Sequence, residues 1–130
     1  MAKNMTVGGA ATKAALDAML ARLGGGVFRL RSSTTTLANV GFNATAFAGA
    51  TMAVPAVATA NTMTPSGVPT AGTIDNGQWI TSTAVVDISF NIDTSGNTPD
   101  MIVSNPVIPG TATSVTISGL TYSLEIGPTP

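Results

Sequence analysis

The 130-residue chain contains no cysteine and no histidine. Disulfides, thiolate metal sites and thiol nucleophiles are therefore excluded, together with the usual general base at neutral pH and the nitrogen ligands that zinc or copper sites need. Charge is also scarce: Asp, Glu, Lys and Arg supply 8% of the residues, against about a quarter in a typical soluble domain. So few charges leave little to keep a free surface solvated, and such a surface suits an assembled subunit better than a free enzyme. No stretch approaches the roughly 20 apolar residues of a membrane span, so no membrane role is expected. The apolar residues near the amino terminus are interrupted by Lys13, Asp17 and Arg22, so no secretory segment is read and the chain is expected to stay in the cytoplasm where it is made until something else moves it.

What is present argues for a packed core. Hydrophobic residues make up 44% of the chain with a net charge of −1, and the mean hydropathy is +0.37, the opposite of the disorder signature of low hydrophobicity and high net charge. The length is that of about one domain, large enough to fold without an obligatory cofactor, and none is expected. The charge is unevenly placed. All five basic residues lie in the first 31 positions with Asp17 the only acid among them, giving +4 there and −5 over residues 32–130. Without interleaved aromatics this is a poor nucleic-acid footprint, so no nucleic acid is expected. It reads as a basic end that docks on an acidic neighbour or on the acidic remainder of its own chain.

Residues 1–10 (MAKNMTVGGA) show no sustained period and read as an extended arm whose order depends on contacts made by others. From about 11 to 23 the apolar residues Ala15, Leu16, Met19, Leu20 and Leu23 recur at helical spacing, and Gly24, Gly25 and Gly26 supply a left-handed cap and a flexible stop. This short amphipathic helix is expected to pack on its own sheet, a partner-binding role being the competing reading. The remainder is β-like. Val27 to Arg31 alternates Phe28 and Leu30 against Arg29 and Arg31, and residues 37–42 place Val40 and Phe42 on one face. A strand is expected near 56–62, with Val54, Val57 and Met63 inward, loops around Pro65 and Pro69, and a surface loop over 64–72. Val86, Ile88, Phe90 and Ile92 alternate with polar neighbours, and the turn chemistry of residues 93–97 predicts a hairpin into 101–103. Val115 and Ile117 occupy odd positions whereas Leu120, Tyr122, Leu124 and Ile126 occupy even ones, which predicts a bulge or sheet crossover at Gly119. The expected fold is mainly β, a small β-sandwich or barrel over residues 11–130, with one short amino-terminal helix and the extended arm.

The remaining chemistry is that of six carboxylates, Asp17, Asp75, Asp87, Asp93, Asp100 and Glu125. A glycosidase needs two of them across an aromatic-lined cleft, and only Trp79 and Tyr122 offer rings for sugar stacking. Asp93 and Asp100 flank an oxygen-rich run that is a weak Ca²⁺ candidate, but the spacing is not that of an EF-hand and the same residues are ordinary turn formers. Trp79 follows the turn-like Asp75-Asn76-Gly77 and reads as a core or rim anchor before it reads as a ligand platform. No catalytic residue is assigned, and the chain is not expected to be an enzyme.

The order of these pieces is informative. The helix ALDAMLARLGGG (15–26) running into VFRLRS, then NATAFAGA (43–50), VATANTMT (57–64), GQWI (77–80) and the long stretch 87–124 resemble small virion proteins encoded in the structural-gene regions of tailed bacteriophages. The likeness spans roughly four-fifths of the chain, each motif being short and built from common residues. That family is usually more basic and aromatic around residues 79–81 and often longer around 32–40. The resemblance implies a β-rich virion component at the capsid surface, a decoration or cement protein that contacts the major capsid protein and copies of itself, as a homo-oligomer and commonly a trimer. A tail or head–tail connector component, and a glycan-binding β-module resting on Trp79 and Tyr122, are the alternatives. The interface candidates are Lys3, Met5, Arg29, Arg31 and Trp79. With so few charges, binding is expected to rest on neutral hydrogen bonds, apolar contacts and strand addition.

Overall fold

The computed structural model describes residues 8–53, 55–93, 101–102 and 105–124. Helix α1 runs from Gly9 to Ala21, two residues earlier at each end than its apolar period suggests, and takes Gly9 and Ala10 out of the expected arm. Its buried stripe is Thr12, Leu16 and Leu20, three residues spaced by four. Thr12 breaks the apolar pattern yet is fully buried, because its hydroxyl donates to the carbonyl of Gly8 at 3.0 Å. The three glycines that follow are not a flexible stop. Gly25 is left-handed at φ 72°, while a Cβ on Gly24 would lie 2.3 Å from the Ala44 carbonyl oxygen and one on Gly26 2.0 Å from that of Ile80. Hydrogen bonds from Gly25 N–H to Asn43 and from Phe42 N–H to Gly26 close this turn against the chain beyond β2.

Among the described residues ten strands follow: β1 (Val27–Ser32), β2 (Thr35–Gly41), β3 (Ala56–Thr59), β4 (Thr64–Ser66), β5 (Gly72–Thr73), β6 (Asn76–Ile80), β7 (Val86–Asp93), β8 (Met101–Ile102), β9 (Val107–Ile108) and β10 (Thr121–Leu124). The main sheet has the order β4-β2-β1-β6-β7-β8, with β3–β10 and β5–β9 as separate two-stranded ribbons. Among the described residues the sheets do not close into a barrel, and the fold is mainly β with one amino-terminal helix. The main sheet is antiparallel from β4 to β7. Between β7 and β8 the pairing is parallel, Ile92 opposite Met101, so the two do not form the expected hairpin.

One face of the main sheet carries the core. Phe28 lies opposite Val40 on one side and Trp79 on the other, and Trp79 lies opposite Ile88. Every aromatic residue of the chain converges here. The Trp79 ring lies 5.9 Å from Phe28, 5.8 Å from Phe42, 5.4 Å from Phe47, 5.6 Å from Phe90 and 5.4 Å from Tyr122, centroid to centroid. Such offset and edge-on pairs each add about 0.5–1.5 kcal/mol beyond their burial. Because Tyr122 sits on β10, this contact fastens the β3–β10 ribbon over the sheet, and α1 packs on the same ribbon through β3.

Several expectations need correction. Gly77 is not part of a turn: it sits within β6 opposite Phe90, and the rings of Phe90 and Phe28 occupy the space a Cβ would need, at 2.8 and 3.1 Å. Pro65 is in a strand, β4, which is tolerated because β4 is an edge and its free side needs no donor. The 64–72 loop likewise includes the first residue of β5. In β3 the inward residues are Ala56 and Ala58, fully buried, whereas Val57 is half-buried. Methyl-sized side chains are what fit beneath the ribbon and the helix that packs on it. Val86 is 44% exposed, because a bulge between Trp79 and Ile80 sets it opposite Ile80 on the outer face, while Ile92 remains in the core. Gly119 has φ 66°, but residues 113–119 form no strand, so the chain crosses from the β5–β9 ribbon to the β3–β10 ribbon there without a bulge. Val54 and Ile126 lie outside the described residues.

Candidate interaction surfaces

The outer face of the main sheet is set by the residues that alternate with the aromatic core. Its register places Ser66, Asn39, Arg29, Gln78 and Ser89 side by side across five strands. A second row holds Thr36, Arg31, Asn76 and Asn91. Arg29 and Arg31 are half-buried by these neighbours. Arg31 donates to the carbonyl of Thr34 at 3.0 Å. Arg29 Nε and, on the adjacent strand, Asn39 Oδ1 are buried without a hydrogen-bond partner. Leaving such a group unpaired costs about 1–3 kcal/mol.

The described carboxylates are committed elsewhere. Asp17 accepts from Lys13 Nζ at 2.6 Å and from the Ala50 N–H at 2.8 Å. Those two bonds, the Lys13 one foremost, hold its carboxyl below the usual carboxylate range. Asp75 accepts twice from the Ser33 N–H, at 3.0 and 3.1 Å, which supports the left-handed Ser33 at φ 51° in the β1–β2 turn. Asp87 takes a two-point hydrogen bond from Arg22, at 2.6 and 3.0 Å, and this lowers its pKa. The basic end of the chain thus meets its own acidic remainder at Arg22 and Asp87, joining the end of α1 to β7. Among the described residues no group of three potential metal ligands converges, and no helix is long and apolar enough to cross a membrane.

A second surface lies at the rim of the core. A groove of about 470 Å³ runs between β7 and β10, with Trp79, Ile88, Phe90 and Tyr122 as its apolar lining. Both of its walls are strand edges. Ile92 donates its N–H to Asp75 on the β6 side, and the register runs unbroken from Asn91 back to Ile88, so alternation turns the main-chain groups of Ser89 away from β6 and outward. On the opposite wall Ala60 donates to Leu120, which by the same alternation turns those of Thr121 and Ser123 away from β3. Among the described residues β8 covers β7 only at Ile92 and Asp93, and β10 pairs only with β3.

Of the interface candidates from the sequence, Arg29 and Arg31 lie together on the outer sheet face. Trp79 does not join them: it is 1% exposed within its ring of aromatics and lines the groove at the rim of the core. Lys3, Met5 and Asp100 lie outside the described residues, as does the side chain of Asp93. Sequence reasoning missed Asn39, Gln78 and the groove, since cross-strand rows and free edges follow from register, which one strand's alternation does not specify. No protein-family model, no curated protein and no solved structure matches the chain.

Proposed function

We propose that this chain is a non-enzymatic structural subunit of a tailed-phage virion, bound at the capsid surface as a decoration protein against the major capsid protein and copies of itself. The observation that carries this reading is the outer sheet face, with its cross-strand rows of polar side chains centred on Arg29 and Arg31 and the buried, unpartnered Arg29 Nε and Asn39 Oδ1. Such a face offers a partner many hydrogen bonds, most of them from the uncharged Asn, Gln, Ser and Thr side chains that surround the two arginines. Commitment of Asp17, Asp75 and Asp87 to structural bonds supports a role without catalysis.

The test is copy number per particle, by quantitative mass spectrometry of purified virions that carry this chain. Hundreds of copies agree with a capsid decoration protein. A dozen or fewer would place it in the tail or connector, and none would remove it from the virion. On particles, raising salt from about 0.1 to 1 M, which shortens the screening length from about 10 to 3 Å, should leave occupancy unchanged. Release by salt would instead point to an electrostatic attachment through the basic residues.

A further inference from the structure

We infer that the outer sheet face docks an extended acidic segment of a neighbouring protein, whose carboxylates pair with Arg29 and Arg31. The inference rests on the reading of this face as the docking surface of a structural subunit, and it names the chemistry of the partner. It fails separately from that reading, because copy number on particles does not depend on the charge of the segment that is contacted.

The placement of charge carries the argument. Of the four described basic residues, Lys13 is paired with Asp17 and Arg22 with Asp87. No described carboxylate pairs with Arg29 or Arg31, which stand two apart on β1 and so share one side of the sheet. Arg31 has the Thr34 carbonyl as an acceptor, whereas Arg29 Nε has none. Asp75 borders the face, but its oxygens are taken by the Ser33 N–H and the Asn76 side-chain amide. A half-buried guanidinium is best satisfied by a two-point bond to a carboxylate, the bond that Arg22 makes to Asp87.

Shape and spacing narrow the occupant to a peptide. Between the two polar rows lies a hollow of about 550 Å³, with Arg31 and Asn76 at one end and Gln78 and Ser89 at the other. Alternate residues of an extended chain are about 6.6–6.8 Å apart, so acids at alternate positions of a partner match the spacing of Arg29 and Arg31 along β1. The side-chain amides of Asn39 and Gln78, which flank Arg29 on either side, offer acceptors as well as donors and suit the N–H and C=O groups of a peptide. A phosphodiester backbone brings acceptors alone, and no aromatic residue belongs to either row to stack its bases. Because both guanidiniums are half-buried, their pairs with carboxylates are screened less than exposed ones, so this docking agrees with an occupancy that salt leaves unchanged.

The chain has three arginines, Arg22, Arg29 and Arg31, and their Nε–H signals can be followed individually in the full-length, ¹⁵N-labelled protein. The probe is the peptide Ac-Thr-Glu-Thr-Glu-Thr-amide, titrated to about 10 mM in about 0.1 M salt beside the same peptide with glutamine at both acidic positions. The glutamate peptide should move the Arg29 and Arg31 signals saturably, leave that of Arg22 in place, and bind about ten-fold more tightly than the glutamine peptide. Equal affinities, or no shift with either peptide, overturn the inference. So does a tighter response to oligothymidylate, which would make the face a nucleic-acid site. In the Arg29→Gln/Arg31→Gln double variant, with circular dichroism unchanged, the two peptides should bind alike, and a surviving preference for glutamate overturns the part given to the arginines. Should the double variant not fold, the titration of the native chain decides alone.

Discussion

Gly77→Ala tests whether the aromatic cluster is as tightly fitted as its geometry indicates. Gly77 lies in β6, and a methyl added there would stand 2.8 Å from two carbons of the Phe90 ring and 3.1 Å from the Phe28 ring. Overpacking of this kind costs about 1–3 kcal/mol. It is partly offset by the lower entropy of the unfolded chain when Gly becomes Ala at an unstrained position, about 0.4–1 kcal/mol. The net expectation is a loss of about 1–2 kcal/mol. With a urea dependence of about 1.5–2 kcal/mol per molar for a chain of this size, the midpoint falls by roughly 0.5–1.3 M. Trp79, the only tryptophan, lies 5.6 Å from Phe90 and reports the transition by its fluorescence. The decisive measurement is a cycle with Phe90→Leu. Phe90 is only half-buried, so leucine there removes the closer clash and leaves the 3.1 Å contact with the fully buried Phe28. Gly77→Ala should then lower stability by no more than about 0.5 kcal/mol in the Phe90→Leu background, a coupling of about 1 kcal/mol. Equal losses in both backgrounds would refute the steric argument and assign the glycine to backbone conformation.

Three further outcomes follow from the same contacts. Gly26→Ala should be severely destabilising and recovered mainly as insoluble chain, because its Cβ would lie 2.0 Å from a backbone oxygen that cannot move aside, whereas Gly25→Asn, at φ 72°, should fold with a modest loss visible in thermal melts. Lowering the pH should destabilise the fold: Asp17 and Asp87 both have depressed folded-state pKa values. Their contribution is full above the unfolded value of about 3.9 and is lost as pH falls through the folded values. Melting curves from pH 6 to 2 should show this loss, and it should shrink in the Asp17→Asn/Asp87→Asn double variant. Trp79→Ala should cost about 3–5 kcal/mol, enough to unfold much of a domain of ordinary stability, as judged by near-ultraviolet circular dichroism.

What the sequence reveals of this fold depends on how many neighbours each residue answers to. The strands β1 and β7 are readable because Phe28, Leu30, Ile88, Phe90 and Ile92 share one buried side, a property of the strand alone. The helix is readable through Leu16 and Leu20, although Thr12 hides one turn of its buried face. Gly77 misleads because the cause of its presence lies in Phe90 and Phe28 on other strands, and next to Asn76 it imitates a turn. The parallel pairing of β7 with β8 is likewise a matter of register, not of period. The outer sheet face was half legible: Arg29 and Arg31 alternate visibly, but Asn39 and Gln78 join them only through pairing. Trp79 was legible as an anchor, whereas its place on the face opposite Arg29 and Arg31 beside Tyr122 was not, since that contact is decided more than forty positions downstream.

That distance has a consequence for how the protein is made. The rings that close around Trp79 are drawn from positions 28, 42, 47, 90 and 122, so a growing chain holds a partial, open cluster until residue 122 is synthesised. Contacts that span so much sequence form slowly and leave apolar surface uncovered in the interval. Completion of this cluster therefore waits for β10, and the docking that ends its exposure is the same step that builds one wall of the groove.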